Sequence, residues 1–277
     1  MNDPLVSTEW LADHLGDLDL VIVDATWFMP QAKRDPRAEF EAAHLPGAVF
    51  FDIDAVADTT SDLPHMLPSP QAFAEAVSAM GIGDGSTVIA YDANGLVASA
   101  RLWWTLRAMG HDAVQVLDGG LAKWRIEGRA VESGPAFPRA AASFTPKFRP
   151  ELVRSFDQVK ATTSEVLDAR PGPRFRGDVA EPRAGLKSGH MPGSRNLPSS
   201  DLIDADGRLK SADDLYPLFR GAGVDLSAPI VTSCGSGVTA CILALGLARL
   251  GVADAPVYDG SWTEWGGRDD APVETSR

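Results

Sequence analysis

The chain carries two thiols, Cys234 and Cys241, and they sit in very different company. Cys234 closes the apolar run PIVTSC and is followed by Gly235-Ser236-Gly237-Val238-Thr239 and then the apolar stretch ACILALGLARLG. This is the pattern of a buried strand, a tight loop and a helix. In a parallel sheet, ligands gather at the carboxyl end of such a strand. Gly235 and Gly237 allow the loop to turn its backbone N–H groups inward, those of Val238 and Thr239 among them, while the helix start adds partial positive charge. That setting favours a thiolate, the nucleophilic form of cysteine. Cys241 lies mid-helix between Ala240 and Ile242 and reads as a small core residue.

Three chemistries use a thiolate on such a loop. A cysteine phosphatase needs an arginine six positions after the nucleophile, and that position is Ala240. A papain-like protease needs a histidine base and a different local sequence. Sulfur transfer through a cysteine persulfide needs only the thiolate and a cradle of N–H donors, and nothing in the sequence opposes it. Ser236, two residues past Cys234, is placed for its hydroxyl to face the same pocket, although a lone serine also serves as a loop cap. Thr239 reads as a helix cap or a loop support through its hydroxyl.

Lys plus Arg number 25 against 38 Asp plus Glu, a formal charge of −13. A field of that sign disfavours nucleic acid and anionic membranes as partners. An anionic substrate would need a local group of arginines, whose planar forks match carboxylates. Residues 170–183 supply one, with Arg170, Arg174, Arg176 and Arg183 following a strand end.

The elements that must hold these groups are written twice. LVIVDAT, STVIAYDA and AVQVLDGG read as buried strands in the first half, and EVLDAR, PIVTSC and PVYDGS in the second. Helices are predicted from Ser69-Pro70 to Gly81, over about 95–109, over 211–223 and over 237–251. Strand–helix alternation implies an α/β fold with mainly parallel sheets and helices on both faces. His44-Leu-Pro-Gly-Ala recurs as His190-Met-Pro-Gly-Ser, and LDGGLAKW (117–124) recurs as YDGSWTEW (258–265). VIAYDANGLVASA aligns with IVTSCGSGVTACI, which sets Asp92 opposite Cys234. The paired His44 and His190 therefore read as structural turn histidines, and the tryptophans as packing. The expected layout is a domain over 1–131, a semi-rigid surface linker over the proline-rich 132–150 and a domain over 151–277.

No window reaches the ~18 apolar residues of a membrane span. The start MNDPLVSTEW lacks the pattern of a secretion signal. Two cysteines build neither a disulfide framework nor a four-cysteine metal site. A cytoplasmic protein is the expectation.

The Cys-Gly-Ser-Gly-Val-Thr-Ala loop (234–240), the His-x-Pro-Gly pair, the two Asp-Gly-x-x-x-x-Trp segments and the duplicated layout resemble the rhodanese superfamily over nearly the whole chain. The loop is similar to that of its mercaptopyruvate-using branch. Thiosulfate-using members typically carry basic residues just after the cysteine, where this chain has Gly235 and Ser236. The resemblance implies two tandem rhodanese-like domains and a sulfurtransferase that moves sulfur from 3-mercaptopyruvate through a Cys234 persulfide, releasing pyruvate. The acceptor it implies is a thiol, such as a thioredoxin or a small thiol, or cyanide, with no metal or organic cofactor.

Arg174 and Arg183 map onto the arginines that grip the substrate in the family, although Pro173 stands where a glycine is usual. Glu181 would orient one of them, leaving Arg170 and Arg176 structural or solvent-facing. An Asp54–His65–Ser236 relay would protonate the pyruvate enolate, with Asp fixing the imidazole tautomer. Taken alone, a histidine in a proline-rich turn such as 63–68 is expected to be exposed. The first domain, with Asp92 in its loop, could not accept a sulfane and would instead wall the cleft and donate His65. The alternatives are a thiosulfate:cyanide sulfurtransferase and a non-catalytic sulfur-carrier or interaction module.

Overall fold

A computed structural model describes residues 3–276. The chain separates into two compact units, and the cut is not a single point in sequence. The first holds the chain up to Asp58, Leu67–Arg149 and Asp204–Leu209; the second holds Thr59–Met66, Pro150–Ile203 and Lys210–Arg277. His65 is thus counted with the unit that contains Cys234.

Each unit is built on one five-stranded parallel sheet. In the first, β1 (Leu5–Val6), β2 (Leu20–Asp24), β3 (Val49–Phe50), β4 (Thr87–Tyr91) and β5 (Val114–Leu117) lie in the order β1-β5-β4-β2-β3. In the second, β6 (Val153–Arg154), β7 (Glu165–Asp168), β8 (Arg195–Asn196), β9 (Ile230–Ser233) and β10 (Val257–Tyr258) repeat it as β6-β10-β9-β7-β8. Every residue of β2 and β9 is buried. Parallel strands covered by crossover helices read as continuous apolar runs for this reason. The chain leaves β7 toward β8 and leaves β9 toward β10, on opposite sides. The crevice between β7 and β9 is therefore the topological switch point where α/β sheets bind ligands. Asp168 and Ser233 are register partners there, as Asp24 and Tyr91 are in the first unit.

The cores follow the sheets. In unit 1, Leu11, Ile22, Phe40, Ile89, Leu117 and Trp124 form one buried cluster; in unit 2, Phe156, Val231, Tyr258, Trp262 and Trp265 form another. The expected helix at 69–81 is Pro70–Ala79, capped by the Ser69 side chain on the Ala72 N–H, and Gly81 follows with φ 81°. Two helices start later than their apolar pattern suggests, at Ser99 and at Ala240. The residues between strand and helix are spent on a loop that turns its N–H groups inward. Gly95 and Gly237 take φ of 82° and 76° to do so, a region open to glycine without a Cβ penalty.

Residues 132–150 run along unit 1 and are fastened to it. The N–H groups of Ala142, Lys147 and Arg149 donate to the carbonyls of Ser78, Met109 and Ala108 at 3.0, 2.8 and 2.7 Å. Phe144 is buried, with its ring 5.7 Å from that of Phe73. His44 and His190 occupy equivalent, buried places: each Nδ1 meets a phenylalanine carbonyl, of Phe40 and of Phe175. Each ring also stacks on that same phenylalanine at 4.0 Å.

Candidate active site

Cys234 leaves the end of β9 almost wholly buried, at 1% exposure. Its backbone is clamped by the repeated Asp-Gly segment. The Cys234 N–H donates to Ser261 Oγ at 3.1 Å, and the Cys234 carbonyl accepts from the Trp262 N–H at 3.0 Å. The Gly235 carbonyl accepts from both the N–H (2.8 Å) and the hydroxyl (2.6 Å) of Thr263. Ser261 Oγ also lies 4.0 Å from Cys234 Sγ and donates to the Tyr258 carbonyl at 2.7 Å. Ser261 itself is fully buried and held at φ 49°, a left-handed conformation that costs a non-glycine residue about 1–2 kcal/mol.

Ser261 is a residue that sequence reasoning missed. The signal was available: the aligned segments differ there, with Gly120 in the first copy. A Cβ on Gly120 would stand 2.4 Å from the Asp92 carbonyl oxygen, so unit 1 tolerates only glycine, whereas unit 2 accommodates a strained serine.

The loops themselves carry the plainest contrast between the copies. In unit 1 the Asp92 carboxylate fills the loop, accepting from the N–H groups of Asn94 (3.1 Å), Leu96 (3.0 Å), Ala98 (3.1 Å) and Ser99 (2.9 Å). The Ser99 hydroxyl adds a fifth bond at 2.8 Å. Four inward N–H groups converging on a carboxylate define an anion cradle. In unit 2 the side chain at that position is the Cys234 thiol. The counterparts of three of those donors, at Ser236, Val238 and Ala240, make no hydrogen bond within the protein among the described residues. The fourth counterpart, at Cys241, reaches the Val238 carbonyl at 3.2 Å. The cradle is thus occupied by a carboxylate in one copy and holds a thiol in its place in the other.

Ser236 is buried beside Cys234 in this loop. Thr239 stands at the N-cap of the Ala240–Arg249 helix, where its side chain makes no capping bond; the Cys241 and Ile242 N–H groups donate to the Val238 and Thr239 carbonyls. Cys241 is fully buried and its thiol donates to the Gly237 carbonyl at 3.3 Å.

The arginine segment divides by burial. Arg170 is the hub. It is 1% exposed, with Nε on both Asp168 oxygens at 3.1 and 3.0 Å and Nη1 on Glu181 Oε1 at 2.9 Å. Its Nη2 donates to the Gly189 carbonyl at 2.8 Å, and its guanidinium lies 4.1 Å over the Trp262 ring. Glu181, expected to orient a substrate arginine, holds Arg170 and Arg174 together, with Arg174 donating through Nε and Nη2. Arg174 keeps 20% of its side chain exposed. A Cβ on Gly235 would lie 3.3 Å from Arg174 Nη2, which puts this guanidinium over the thiol loop. Arg176 is a surface residue paired with Asp178 at 2.8 Å. Arg183 is half-buried in the loop after Glu181.

The two distal relay residues are placed unequally. His65 is buried, at 7% exposure, and takes φ 61°, against the expectation that a proline-rich turn would leave it exposed; its segment packs with unit 2. Asp54 belongs to unit 1, is exposed, and accepts from Trp27 Nε1 at 3.0 Å. No group of three or more metal-ligating side chains occurs among the described residues.

Two copies of a parallel α/β unit, one with a thiol in an open anion cradle, define a duplicated domain of the sulfur-carrying kind, and comparison with known proteins agrees. The family model of the rhodanese-like domain matches residues 7–127 and 150–268, and the chain belongs to that family. It is 44% identical to a mitochondrial thiosulfate/3-mercaptopyruvate sulfurtransferase of Arabidopsis thaliana, over 99% of this chain and 79% of that one. It is also 44% identical to the 3-mercaptopyruvate sulfurtransferase of Escherichia coli (strain K12), over 97% of both. Among solved structures, SseA from Escherichia coli, described with the rhodanese fold and mechanism of 3-mercaptopyruvate sulfotransferases, superposes with a TM-score of 0.86 at 40% identity, covering 94% of this chain and 99% of that one.

Proposed function

We propose that this chain is a 3-mercaptopyruvate sulfurtransferase, and that the open cradle around Cys234, set against its carboxylate-filled twin at Asp92, is the observation that carries the reading. The Cys234 thiolate attacks the substrate sulfur. The carbon–sulfur bond breaks, its electron pair stays on carbon as the enolate of pyruvate, and the sulfur remains as a Cys234 persulfide. The inward N–H groups of Ser236, Val238 and Ala240 stabilise the charge on the sulfur, as electrostatic preorganisation does elsewhere. Arg174, with Arg183, binds the substrate carboxylate in competition with Glu181. Ser236, backed by His65, returns the proton to the enolate carbon. An acceptor thiolate, from a thioredoxin or a small thiol, or cyanide, then attacks the outer sulfur and regenerates the Cys234 thiolate.

The uncharged Gly235, with Arg174 lying over it, supports a monoanionic keto acid over the thiosulfate dianion. The double name of the Arabidopsis thaliana relative supports a second reading, in which thiosulfate is also used. No described helix is long and apolar enough to cross a membrane. The two free thiols suit a reducing compartment, and the cytoplasm is the compartment carried forward.

The test is pyruvate release from 3-mercaptopyruvate with a reducing thiol, run beside thiosulfate with cyanide, and intact mass after donor alone. Pyruvate release and a one-sulfur mass gain, both lost in Cys234→Ser, are expected. Turnover by Cys234→Ser would end the proposal. Activity with thiosulfate alone would refute the donor, and a persulfide formed without pyruvate release would favour a sulfur carrier.

A further inference from the structure

The duplication also makes unit 1 informative where it lacks what unit 2 has. Asp24 is the counterpart of Asp168: they end the equivalent strands β2 and β7, both accept the N–H two residues on at 2.8 Å, and both are buried to 1% or less. In unit 2 the carboxylate is neutralised by Arg170, with Trp262 beneath the guanidinium and the Gly189 carbonyl at its edge. In unit 1 the aligned residues are Thr26, Leu121 and Ala43. The arginine and the tryptophan are gone, and a cavity of about 330 Å³ lined by Asp24, Thr26, Ala43 and Leu121 stands in unit 1.

Asp24 is left without a cation. Its partners are the Thr26 N–H and hydroxyl and the hydroxyl of Tyr91, with the Asp92 carboxylate nearby, and burial pushes its carboxyl above the usual range. A buried carboxylate normally has a paired charge. The rim of the same cavity carries the opposite sign. Arg34 and Arg125 line it, both exposed. Glu39 accepts from Arg34 through Nε and Nη2, whereas the Arg125 side chain makes no ion pair or hydrogen bond among the described residues.

We propose that this cavity is a second ligand site, for a small guanidino acid whose guanidinium sits on Asp24 and the Ala43 carbonyl and whose carboxylate meets Arg125 at the rim. The inner contacts copy those that Arg170 makes to Asp168 and Gly189. The outer contact uses a guanidinium that nothing else in the described chain engages. Neither involves the thiol loop of unit 2.

Calorimetric titration of the full chain with 4-guanidinobutyrate tests this, with butyrate and butylguanidine as partial ligands. Saturable one-to-one binding of 4-guanidinobutyrate is expected, with butyrate silent and butylguanidine weaker. Asp24→Asn should weaken binding about tenfold or more, the loss of a charge-assisted pair. Thr26→Arg, which installs the cation unit 2 already has, should abolish binding and raise the melting temperature, so the test survives if Asp24→Asn folds poorly. Arg125→Met should weaken the guanidino acid without weakening butylguanidine. Cys234→Ser and Arg174→Met should bind as the parent does. Absence of saturable binding overturns the proposal, as does binding that persists in Thr26→Arg or vanishes in Arg174→Met. Binding only of an arginine-containing peptide, with the free acid silent, would equally overturn it.

Discussion

Ser261 offers the sharpest test of how the thiol is held, because two substitutions there separate hydrogen bonding from backbone strain. Ser261→Ala removes the acceptor of the Cys234 N–H (3.1 Å) and the donor to the Tyr258 carbonyl (2.7 Å). It leaves both groups buried and keeps the residue at φ 49°. An unsatisfied buried polar group costs about 1–3 kcal/mol, so Ser261→Ala should destabilise the chain by about that much. Ser261→Gly loses the same bonds but relieves about 1–2 kcal/mol of left-handed strain. It gives back about 0.5–1 kcal/mol to the greater freedom of the unfolded chain. Gly should therefore be the more stable variant, by up to about 1.5 kcal/mol, as the first copy's Gly120 already suggests. Turnover should not follow stability. Both variants free the loop that positions Sγ, and a displacement near 1 Å costs about a hundredfold in rate. Thermal melts and pyruvate release on the same preparations give both answers. Full turnover in either variant would refute the positioning role, and a glycine variant less stable than the alanine one would refute the strain.

Three other perturbations follow from the same geometry. Glu181→Gln removes the charge shared by buried Arg170 and half-buried Arg174 and should cost about 3–5 kcal/mol, the loss expected when one partner of a buried ion pair is deleted; a melting curve unchanged from the parent would contradict it. Asp92→Ala strips five hydrogen bonds from the first-copy loop and should destabilise unit 1 by several kcal/mol, at about 1 kcal/mol or more per bond, read as a lowered melting temperature with persulfide formation at Cys234 retained. The Glu127 carboxyl is held at about 2: burial pushes it up, but hydrogen bonds from Lys123, Arg129 and Thr8 outweigh that. With the folded value below the unfolded one, its stabilisation is present above the ordinary value and lost as pH falls toward about 2. The parent should exceed Glu127→Gln by about 1 kcal/mol at neutral pH after solvent screening, and the two denaturation midpoints should converge on acidification.

The strand pattern, the duplication and the place of Cys234 at a strand end were legible because each is a local signal. Apolar runs mark β2, β4, β7 and β9, and a Cys between a strand and a Gly-x-Gly turn is specific by position. Three things were not legible. The helix starts at Ser99 and Ala240 moved because inward N–H groups, invisible in a hydropathy pattern, displaced the first turn. Arg170 reads in sequence as either structural or solvent-facing because side-chain burial beside Asp168 and Trp262 is a product of register between β7 and β9, not of its own neighbours in sequence. Residues 132–150 looked like a spacer because their apolar content is low, yet backbone hydrogen bonds and the single ring of Phe144 suffice to lay them along unit 1.

Read as alternatives for the same architecture, the two copies exchange one buried charge for another. At the loop, unit 1 has a carboxylate satisfied by five donors and unit 2 has a thiol with donors to spare. At the strand end before it, unit 2 has a carboxylate satisfied by Arg170, and unit 1 has one with no cation beside it. An anion cradle can be left open only where the surrounding charge is already settled, since a second unpaired carboxylate would oppose a thiolate arriving in the loop. In unit 2 the Arg170–Asp168 pair removes that repulsion, and the Glu181 carboxylate accepts from both Arg170 and Arg174, the latter lying over Gly235. In unit 1 Asp24 has no cation beside it among the described residues, and the nearby Asp92 carboxylate adds to the burial that pushes its carboxyl up. The copy that has the cysteine is also the copy whose strand-end carboxylate is paired by an arginine.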